Sequence, residues 1–277
     1  MKLIVKLFSS LPIIFLKQFR RFIYFLLCYI VCYRKEVIQE NLSKSFPTKS
    51  KAEINQLYRK FTFHFSEFLL EYLVLFKGSK SFYEDNVQVE GWKDVQETVE
   101  SGQHVIIAMG HQGSWEYAAV RLSQLFSIKM TGIYKKIKNP KTDKIVFDAR
   151  SNFGLHLFEI KDSVKQMLRM RKEPAAHLFI MDQSPRKSQS KRWIKFLNQD
   201  TLILEGVEKM SKALNAKVFW LSVEKQDFAK YKMILKELES TNIMKACYDH
   251  LESDIQHQPE TWLWSHRRWK IKKVGAC

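Results

Sequence analysis

Residues 104–126 read HVIIAMGHQGSWEYAAVRLSQLF, and their pattern gives the clearest indication of the fold. Residues 104–109 form a short, mainly apolar run, which is typical of a strand buried on both faces. A loop with two glycines follows, and after Ser114 the apolar residues recur at helical spacing. The stretch therefore predicts a buried strand, a loop and a helix in direct succession, which is the start of a βαβ unit.

The same alternation continues on both sides of this unit. The patterns predict strands at residues 87–90, 104–109, 128–134, 155–159, 176–181 and 218–225. They predict intervening helices at residues 92–100, 115–126, 140–152, 161–171 and 204–214. This order indicates an α/β fold with a mostly parallel central sheet flanked by helices. We expect one more strand at residues 231–238, at an edge of the sheet, and long helices at residues 52–76 and 241–258.

Composition limits the class of protein. The 277 residues are 45% hydrophobic and can form a substantial core, which excludes a disordered or collagen-like chain. Four cysteines without a CxxC pair exclude a disulfide scaffold and a multi-cysteine zinc site, so we expect no metal and no cofactor. With 46 Lys+Arg against 29 Asp+Glu, the net charge is +17. This charge predicts an anionic partner, either acidic phospholipid, an acidic carrier protein or nucleic acid.

The N-terminal segment differs from the rest. Residues 7–16 and 22–33 are uncharged, and between them lie three cations, Lys17, Arg20 and Arg21. Neither run alone reaches the ~20 residues that span a bilayer, but a helix continuing across the break would. We therefore predict a hydrophobic membrane-anchor helix within residues 1–33, spanning the bilayer or lying in its interface, and one domain over residues 34–277. The alternative is a buried aromatic core helix, which rarely carries three cations in its middle.

A histidine and a carboxylate follow the buried strand closely. Ser114 is a good N-cap, which leaves His111 in the loop and puts Glu116 in the first helical turn. From there the carboxylate can face back toward the imidazole. A carboxylate that holds one imidazole nitrogen leaves the other free to accept a proton from a hydroxyl. Gly110 and Gly113 would let a substrate approach the backbone closely. The pair therefore predicts general-base chemistry.

Motifs along nearly the whole chain resemble the late acyltransferases of lipid A biosynthesis, a branch of the glycerolipid acyltransferase superfamily. They include the H-x4-E segment at residues 111–116 and an Ile-Tyr-Lys-Lys segment at residues 133–136. The others are Tyr-Arg-Lys at residues 33–35, Asn-Leu at 41–42, Phe-Pro at 46–47, Asn-Pro at 139–140, Arg150, FIMDQSP at 179–185 and WLWSHRRWK at 262–270. Met181 stands where the family commonly has alanine, which affects no proposed catalytic residue.

The resemblance implies transfer of a fatty acyl chain from a thioester, usually acyl-acyl carrier protein, to a hydroxyl of a lipid A precursor. It implies catalytic roles for His111 and Glu116. It implies substrate-binding roles for Gly113, Tyr134, Lys135, Arg150, Asp182 and Gln183. It also implies a bacterial inner-membrane protein with its catalytic domain on the cytoplasmic face, a placement that Arg34 and Lys35 favour through the positive-inside tendency.

Several roles have alternatives. Arg150 grips a phosphate or orients the site, or it is a solvated helix charge. Asp182 and Gln183 end a buried strand, where they bind the acceptor's polar headgroup or hold the loop around His111. Residues 262–270 form a cation-and-aromatic surface or a packed C-terminal segment. Residues 186–192 are a solvated loop or meet an acidic carrier protein.

Two other functions remain open at this point. A lysophospholipid or aminolipid acyltransferase would use the same His–Glu pair, although Glu116 rather than Asp favours the lipid A branch. A non-catalytic membrane- or nucleic-acid-binding protein would use the +17 charge. Nucleic-acid binding is disfavoured because no helix-turn-helix, zinc or aromatic RNA-binding motif occurs.

Overall fold

A seven-stranded sheet forms the centre of the molecule in the computed structural model, which describes residues 13–76, 78–186 and 189–273. The described residues form nine strands: β1 Val87–Glu90, β2 Val105–Met109, β3 Met130–Tyr134, β4 Leu155–Glu159, β5 Ala176–Ile180, β6 Trp193–Phe196, β7 Gln199–Leu202, β8 Lys217–Asp227 and β9 Lys230–Glu237. Strands β6 and β7 form a separate hairpin, and the other seven lie in the order β1-β9-β8-β2-β5-β3-β4. Five neighbouring strands, from β8 to β4, are parallel, and β9 and β1 run in the opposite direction.

Helices cover both faces of this sheet. They are α1 Ile13–Phe25, α2 Lys35–Ser45, α3 Lys51–Val74, α4 Lys80–Asn86, α5 Trp92–Glu100, α6 Trp115–Leu125, α7 Pro140–Ser151, α8 Ser163–Arg169, α9 Gly206–Leu214 and α10 Ile243–His257. A π-helical turn, Leu26–Ile30, continues α1, and a 3-10 turn, Pro259–Thr261, follows α10. Local signals fix several ends: Ser50 and Glu53 form a capping box before α3, and Asn139 caps α7 ahead of Pro140.

Strand β2 shows why the sheet is buried on both sides. Val105, Ile107 and Met109 belong to one hydrophobic core, together with residues of α6. Ile106 and Ala108 belong to a second core, which α9 and α10 cover. Because side chains alternate across a strand, an apolar run without alternation is stable only between two layers of helices. The predicted α/β architecture with a mostly parallel sheet is confirmed.

One strand has a different place from the one expected. The strand predicted at residues 231–238 forms as β9, but it lies between β1 and β8 and not at an edge. A short turn after β8 makes β9 pair antiparallel with it, and β1 then adds in parallel to the other side of β9. The edges of the sheet are β1 and β4.

The predicted membrane-spanning helix is not supported in the part of the N-terminal segment that the structure describes. Within the described residues, no helix has the length and apolar character that crossing a membrane requires. Residues 1–12 lie outside the described part of the chain. From residue 13 the helix α1 packs one face on the domain, with Leu16 fully buried in the core. The other face is apolar and exposed; its large side chains include Ile14, Phe15, Phe22 and Phe25.

The cations of α1 explain this placement. Arg20 forms an ion pair with the buried Glu67 of α3, and its guanidinium lies over the ring of Phe63. Lys17 forms an ion pair of 2.5 Å with Asp227 at the end of β8. These cations, which were expected near the end of an anchor, instead hold α1 along the folded domain.

The C-terminal signature is packed and is not a surface. Trp262, Trp264 and Trp269 are buried, and so is Arg268, which donates hydrogen bonds to the Leu202 carbonyl and the Tyr248 hydroxyl. His266 is half-buried, and Arg267 and Lys270 alone among its charged residues are exposed.

The N-terminal motifs hold this C-terminal segment in place. Arg34 donates a hydrogen bond of 2.8 Å to the Ser265 carbonyl, and Asn41 donates to the carbonyls of Trp264 and His266. Residues at the two ends of the sequence therefore depend on each other for their position.

Candidate active site

The loops that carry most of the predicted site residues meet where the parallel strands have their carboxyl ends. Strands β2, β5 and β3 are parallel neighbours, so their carboxyl ends lie side by side. His111 follows β2, Asp182 and Gln183 follow β5, and Tyr134 ends β3. In open α/β sheets, ligands bind beyond this edge.

His111 and Asp182 form the central contact of the site. The Asp182 Oδ1 atom lies 2.5 Å from the imidazole Nδ1. The other carboxylate oxygen accepts hydrogen bonds from the His111 backbone N–H at 3.0 Å and from the Trp262 indole N–H at 2.7 Å. Asp182 therefore fixes both the backbone and the ring of His111. Of the two roles considered for Asp182, the structure shows the one that holds the loop around His111.

The ionisation of Asp182 sets the state of the imidazole. Burial alone raises the pKa of this carboxyl, but the electrostatic interaction with the His111 ring and hydrogen bonds from His111 and Trp262 outweigh burial and hold the pKa well below its ordinary range. An ionised Asp182 accepts a hydrogen bond from the Nδ1–H group. It thereby favours the tautomer of the neutral imidazole that has its lone pair on Nε2. The chemically available nitrogen therefore faces away from Asp182.

Glu116 makes no hydrogen bond or ion pair with His111, so the structure does not show the predicted pairing of these two side chains. Its carboxylate pairs with the Arg150 guanidinium instead, through Nε at 2.8 Å and Nη2 at 2.5 Å. The reason is the phase of α6. Trp115 is its first residue and places its ring edge-on to the imidazole at 5.0 Å, and the next residue is rotated by about 100°.

The Glu116–Arg150 pair is mainly internal. Only 5% of the Glu116 side chain and 24% of the Arg150 side chain are exposed. Burial lowers the pKa of Arg150, but the neighbouring Glu116 more than compensates and raises it. The pair joins the start of α6 to the end of α7, so Arg150 is not a solvated helix charge.

The glycines of the loop pack closely against other residues of the protein. A Cβ on Gly113, whose φ is +58°, would lie 2.7 Å from Val223, and one on Gly110 would lie 2.4 Å from Leu251. The Gly113 N–H donates to the Thr261 carbonyl at 3.0 Å. Gly113 is buried, and its N–H is already hydrogen-bonded within the protein. Ser114 precedes α6 as predicted, but its side chain makes no capping hydrogen bond.

The remaining predicted residues lie at the carboxyl ends of β5 and β3, half-buried or exposed. Gln183 is exposed, and its amide nitrogen lies 3.1 Å from the imidazole Nε2. Tyr134 is half-buried, edge-on to Phe147, and Lys135 is exposed beside it. In the part of the chain that the structure describes, neither Tyr134 nor Lys135 is hydrogen-bonded to His111.

The sequence did not predict two groups of contacts around His111. Trp262 positions Asp182, although its signature suggested a surface. The ring of Phe68 packs against Trp115, with centroids 4.3 Å apart, and starts a half-exposed aromatic row along α3. That row includes Phe65, on which Tyr33 stacks, and Tyr72. The helical aromatic spacing was visible in the sequence, but its exposure was not.

The sequence matches a known protein family. The model of bacterial lipid A biosynthesis acyltransferases matches residues 2–271, which is essentially the whole chain. The chain belongs to the bacterial lipid A biosynthesis acyltransferase family. The comparison with curated proteins gave no match.

Membership of this lipid A acyltransferase family makes the protein an enzyme that acts as an acyltransferase on lipid A. The resemblance read from the motifs is confirmed, and the non-catalytic alternatives are excluded. The loop with His111 and the C-terminal segment with Trp262 both lie within the matched residues.

Proposed function

We propose that this acyltransferase moves a fatty acyl chain from an acyl thioester, supplied by acyl carrier protein, to a hydroxyl of a lipid A precursor, with His111 as general base. The observation that carries the proposal is the contact between His111 Nδ1 and the buried carboxylate of Asp182. A histidine oriented in this way keeps Nε2 free to accept a proton.

The chemistry needs no covalent enzyme intermediate. His111 Nε2 takes the proton of the acceptor hydroxyl while that oxygen attacks the thioester carbonyl. When the tetrahedral intermediate collapses, the carbon–sulfur bond breaks and the imidazolium returns the proton to the leaving sulfur. The products are an ester and a free thiol, so atoms and charge balance. The acceptor hydroxyl would take the place of the Gln183 amide, which already lies at hydrogen-bond distance from Nε2.

The surroundings of His111 suit an acyl substrate. Trp115 and Phe68 give a half-exposed apolar surface next to the imidazole, on which a fatty chain can lie. Tyr134, Lys135 and Gln183 provide polar groups at the same sheet edge, for the acceptor's phosphorylated sugar. Glu116 orients Arg150 in this proposal, and Arg150 supports the loop or meets a phosphate with its remaining N–H groups.

We also propose that α1 lies in the interface of the bacterial inner membrane, with the catalytic domain on its cytoplasmic face. The support is the exposed apolar face of α1 and the π-helical turn. Ile14, Phe15, Ile30 and Val31 are each at least 60% exposed. A helix with one face on a protein and large apolar side chains on the other suits the headgroup boundary.

A transfer assay tests the proposed reaction. Wild-type and His111→Ala enzyme in detergent are given acyl-acyl carrier protein with either a tetra-acylated lipid A precursor or a lysophospholipid. His257→Ala, at the exposed end of α10, is the matched control. We expect a mass gain of one acyl chain on the lipid A precursor only, lost in His111→Ala and kept in His257→Ala.

Other outcomes change the proposal in defined ways. Transfer to the lysophospholipid alone would keep the chemistry and replace the acceptor. Normal transfer by folded His111→Ala enzyme would rule out His111 as the base.

A further inference from the structure

Helix α8 carries an apolar face that nothing in the described chain covers. Ile160, Val164 and Leu168 are spaced by four residues and lie on one side of α8 and the turn before it. They are 60%, 56% and 39% exposed. Met167 and Ser163, on the adjacent side of the helix, are buried. Exposed apolar side chains that line up in this way mark an interaction site more often than scattered ones do.

Cations without partners flank this strip. Lys165, Arg169, Arg171 and Lys172 are exposed, and across the described ranges none of their side chains makes a hydrogen bond or an ion pair. Many other surface lysines do have partners, as Lys161 has Glu159 at 3.3 Å. We define the α8 surface as these four cations together with Ile160, Val164 and Leu168.

The α8 surface lies within reach of the site. Strand β4 ends at Glu159, at the same carboxyl edge as β2, and is separated from it by β3 and β5. Three interstrand spacings amount to about 14 Å between the ends of β4 and β2. A partner seated at the start of α8 would therefore stand beside the loop with His111, and from there the helix runs back toward the amino end of β5.

The balance of charge and apolar area distinguishes this surface from that of α1. The α1 face has many large exposed apolar residues, and two of its cations, Lys17 and Arg20, are neutralised by Asp227 and Glu67. The α8 surface has three apolar residues and four free cations. A small apolar patch ringed by unpaired cations complements an acidic protein better than a hydrocarbon boundary.

We propose that the α8 surface is the docking site for the acidic carrier protein that delivers the acyl thioester. The inference rests on the donor named under the proposed function. Carboxylates of the carrier pair with Lys165, Arg169, Arg171 and Lys172, while its apolar side chains cover Val164 and Leu168. The thioester-bearing arm then extends along the sheet edge to His111. Opposite charge at this distance from the site speeds encounter and orients the carrier.

Binding of the carrier by surface variants tests the proposal. The probe is a myristoyl-charged bacterial acyl carrier protein, and its Kd is measured for the detergent-solubilised enzyme. Lys165→Glu/Arg169→Glu reverses two charges on the α8 surface. Lys93→Glu/Lys236→Glu makes the same charge change at two exposed lysines outside it. Val164→Ser/Leu168→Ser removes apolar area without changing charge.

We expect the α8 charge reversal to raise the Kd for the carrier by about tenfold or more. The Lys93/Lys236 control should leave this Kd within about twofold of the wild-type value. The apolar variant should weaken Kd while leaving its salt dependence unchanged. Equal Kd in wild type and the α8 charge reversal, or equal losses in that variant and the control, would overturn the docking site. Release from vesicles by the α8 reversal with unchanged carrier binding would assign the surface to membrane and also overturn it. A wild type that binds no carrier would contradict the proposed donor itself.

Discussion

The Asp182 carboxylate accepts from His111 twice, at the ring Nδ1 and at the backbone N–H, while Glu116, five residues along the chain, makes no hydrogen bond or ion pair with it. Two carboxylates thus flank the loop with separate tasks. Asp182 orients the imidazole, and Glu116 anchors Arg150 between α6 and α7. The H-x4-E segment therefore takes part in two neighbouring contacts, that of His111 with Asp182 and that of Glu116 with Arg150.

Removal of one indole N–H should slow the reaction without unfolding the protein. Trp262→Phe takes away the hydrogen bond to Asp182 and keeps most of the packing. We expect kcat to fall about tenfold with little change in KM, because a hydrogen bond to a charged group contributes about 1.5–3 kcal/mol and this one holds the carboxylate that orients the imidazole.

The matched control for this variant is Trp269→Phe. It loses a hydrogen bond of the same length, 2.7 Å, to Thr201 in the β6–β7 hairpin. Its kcat should stay near the wild-type value, while its Tm should fall by about as much as the Tm of Trp262→Phe. An equal loss of kcat in both variants would mean that Trp262 acts only through packing.

The Glu116–Arg150 pair should behave as one unit in stability. Glu116→Gln leaves Arg150 without its counter-charge, and we expect a loss of about 2–3 kcal/mol in the free energy of unfolding. The double variant Glu116→Gln/Arg150→Gln removes both charges and should recover part of that loss. A denaturant series on the four proteins of the cycle measures the coupling. Losses that simply add would contradict a direct pair.

Acid should destabilise the fold partly through a buried histidine. Burial lowers the pKa of His177 to about 3, and its ring contacts His104 and Thr131. Its folded-state pKa is below the ordinary unfolded value of about 6.5, so stability present above pH 6.5 is lost as the pH falls toward 3. Each pH unit in that window costs about 1.4 kcal/mol.

A variant isolates this contribution from other titrating groups. Glu71 and Asp254, whose pKa values burial raises, act in the opposite direction across part of the same range. Between pH 6.5 and 5, the loss of unfolding free energy should be about 2 kcal/mol smaller in His177→Gln than in wild type. Parallel curves for the two proteins would show that His177 titrates normally in the fold.

Membrane binding should depend on α1 and not on α8. Phe15→Glu/Phe22→Glu puts two charges on the exposed face of α1, and we expect at least tenfold weaker binding to vesicles with anionic phospholipid. Ile160→Glu, a side chain that is also 60% exposed, should have little effect. Co-sedimentation at low and high salt measures both variants. Release by Ile160→Glu alone would place the membrane at α8.

The central architecture could be predicted because it depends on local pattern. Buried strands such as β2 and β5 are apolar on both faces, and turn and cap residues separate them from helices. The loop ends at His111 and Asp182 followed from those strands.

The partners within the site could not be predicted in the same way. Asp182 lies 71 residues from His111 in sequence and reaches it only because β5 pairs with β2. Glu116 is close in sequence, but the phase of α6 turns it toward Arg150. Likewise, the apolar content of α1 is the same for a spanning helix and for one that packs on α3, and the ion pair to Glu67 decides between them.

The most direct test compares kcat of Asp182→Asn and Glu116→Gln for transfer from acyl-acyl carrier protein to the lipid A precursor, at a temperature where both remain folded. We predict a loss of roughly 10³-fold or more for Asp182→Asn, since an amide no longer fixes the tautomer or balances the imidazolium charge. Glu116→Gln should lose no more than about tenfold, because it acts through Arg150. A near-normal rate for Asp182→Asn beside a severe loss for Glu116→Gln would contradict the assignment of Asp182 as the partner of His111.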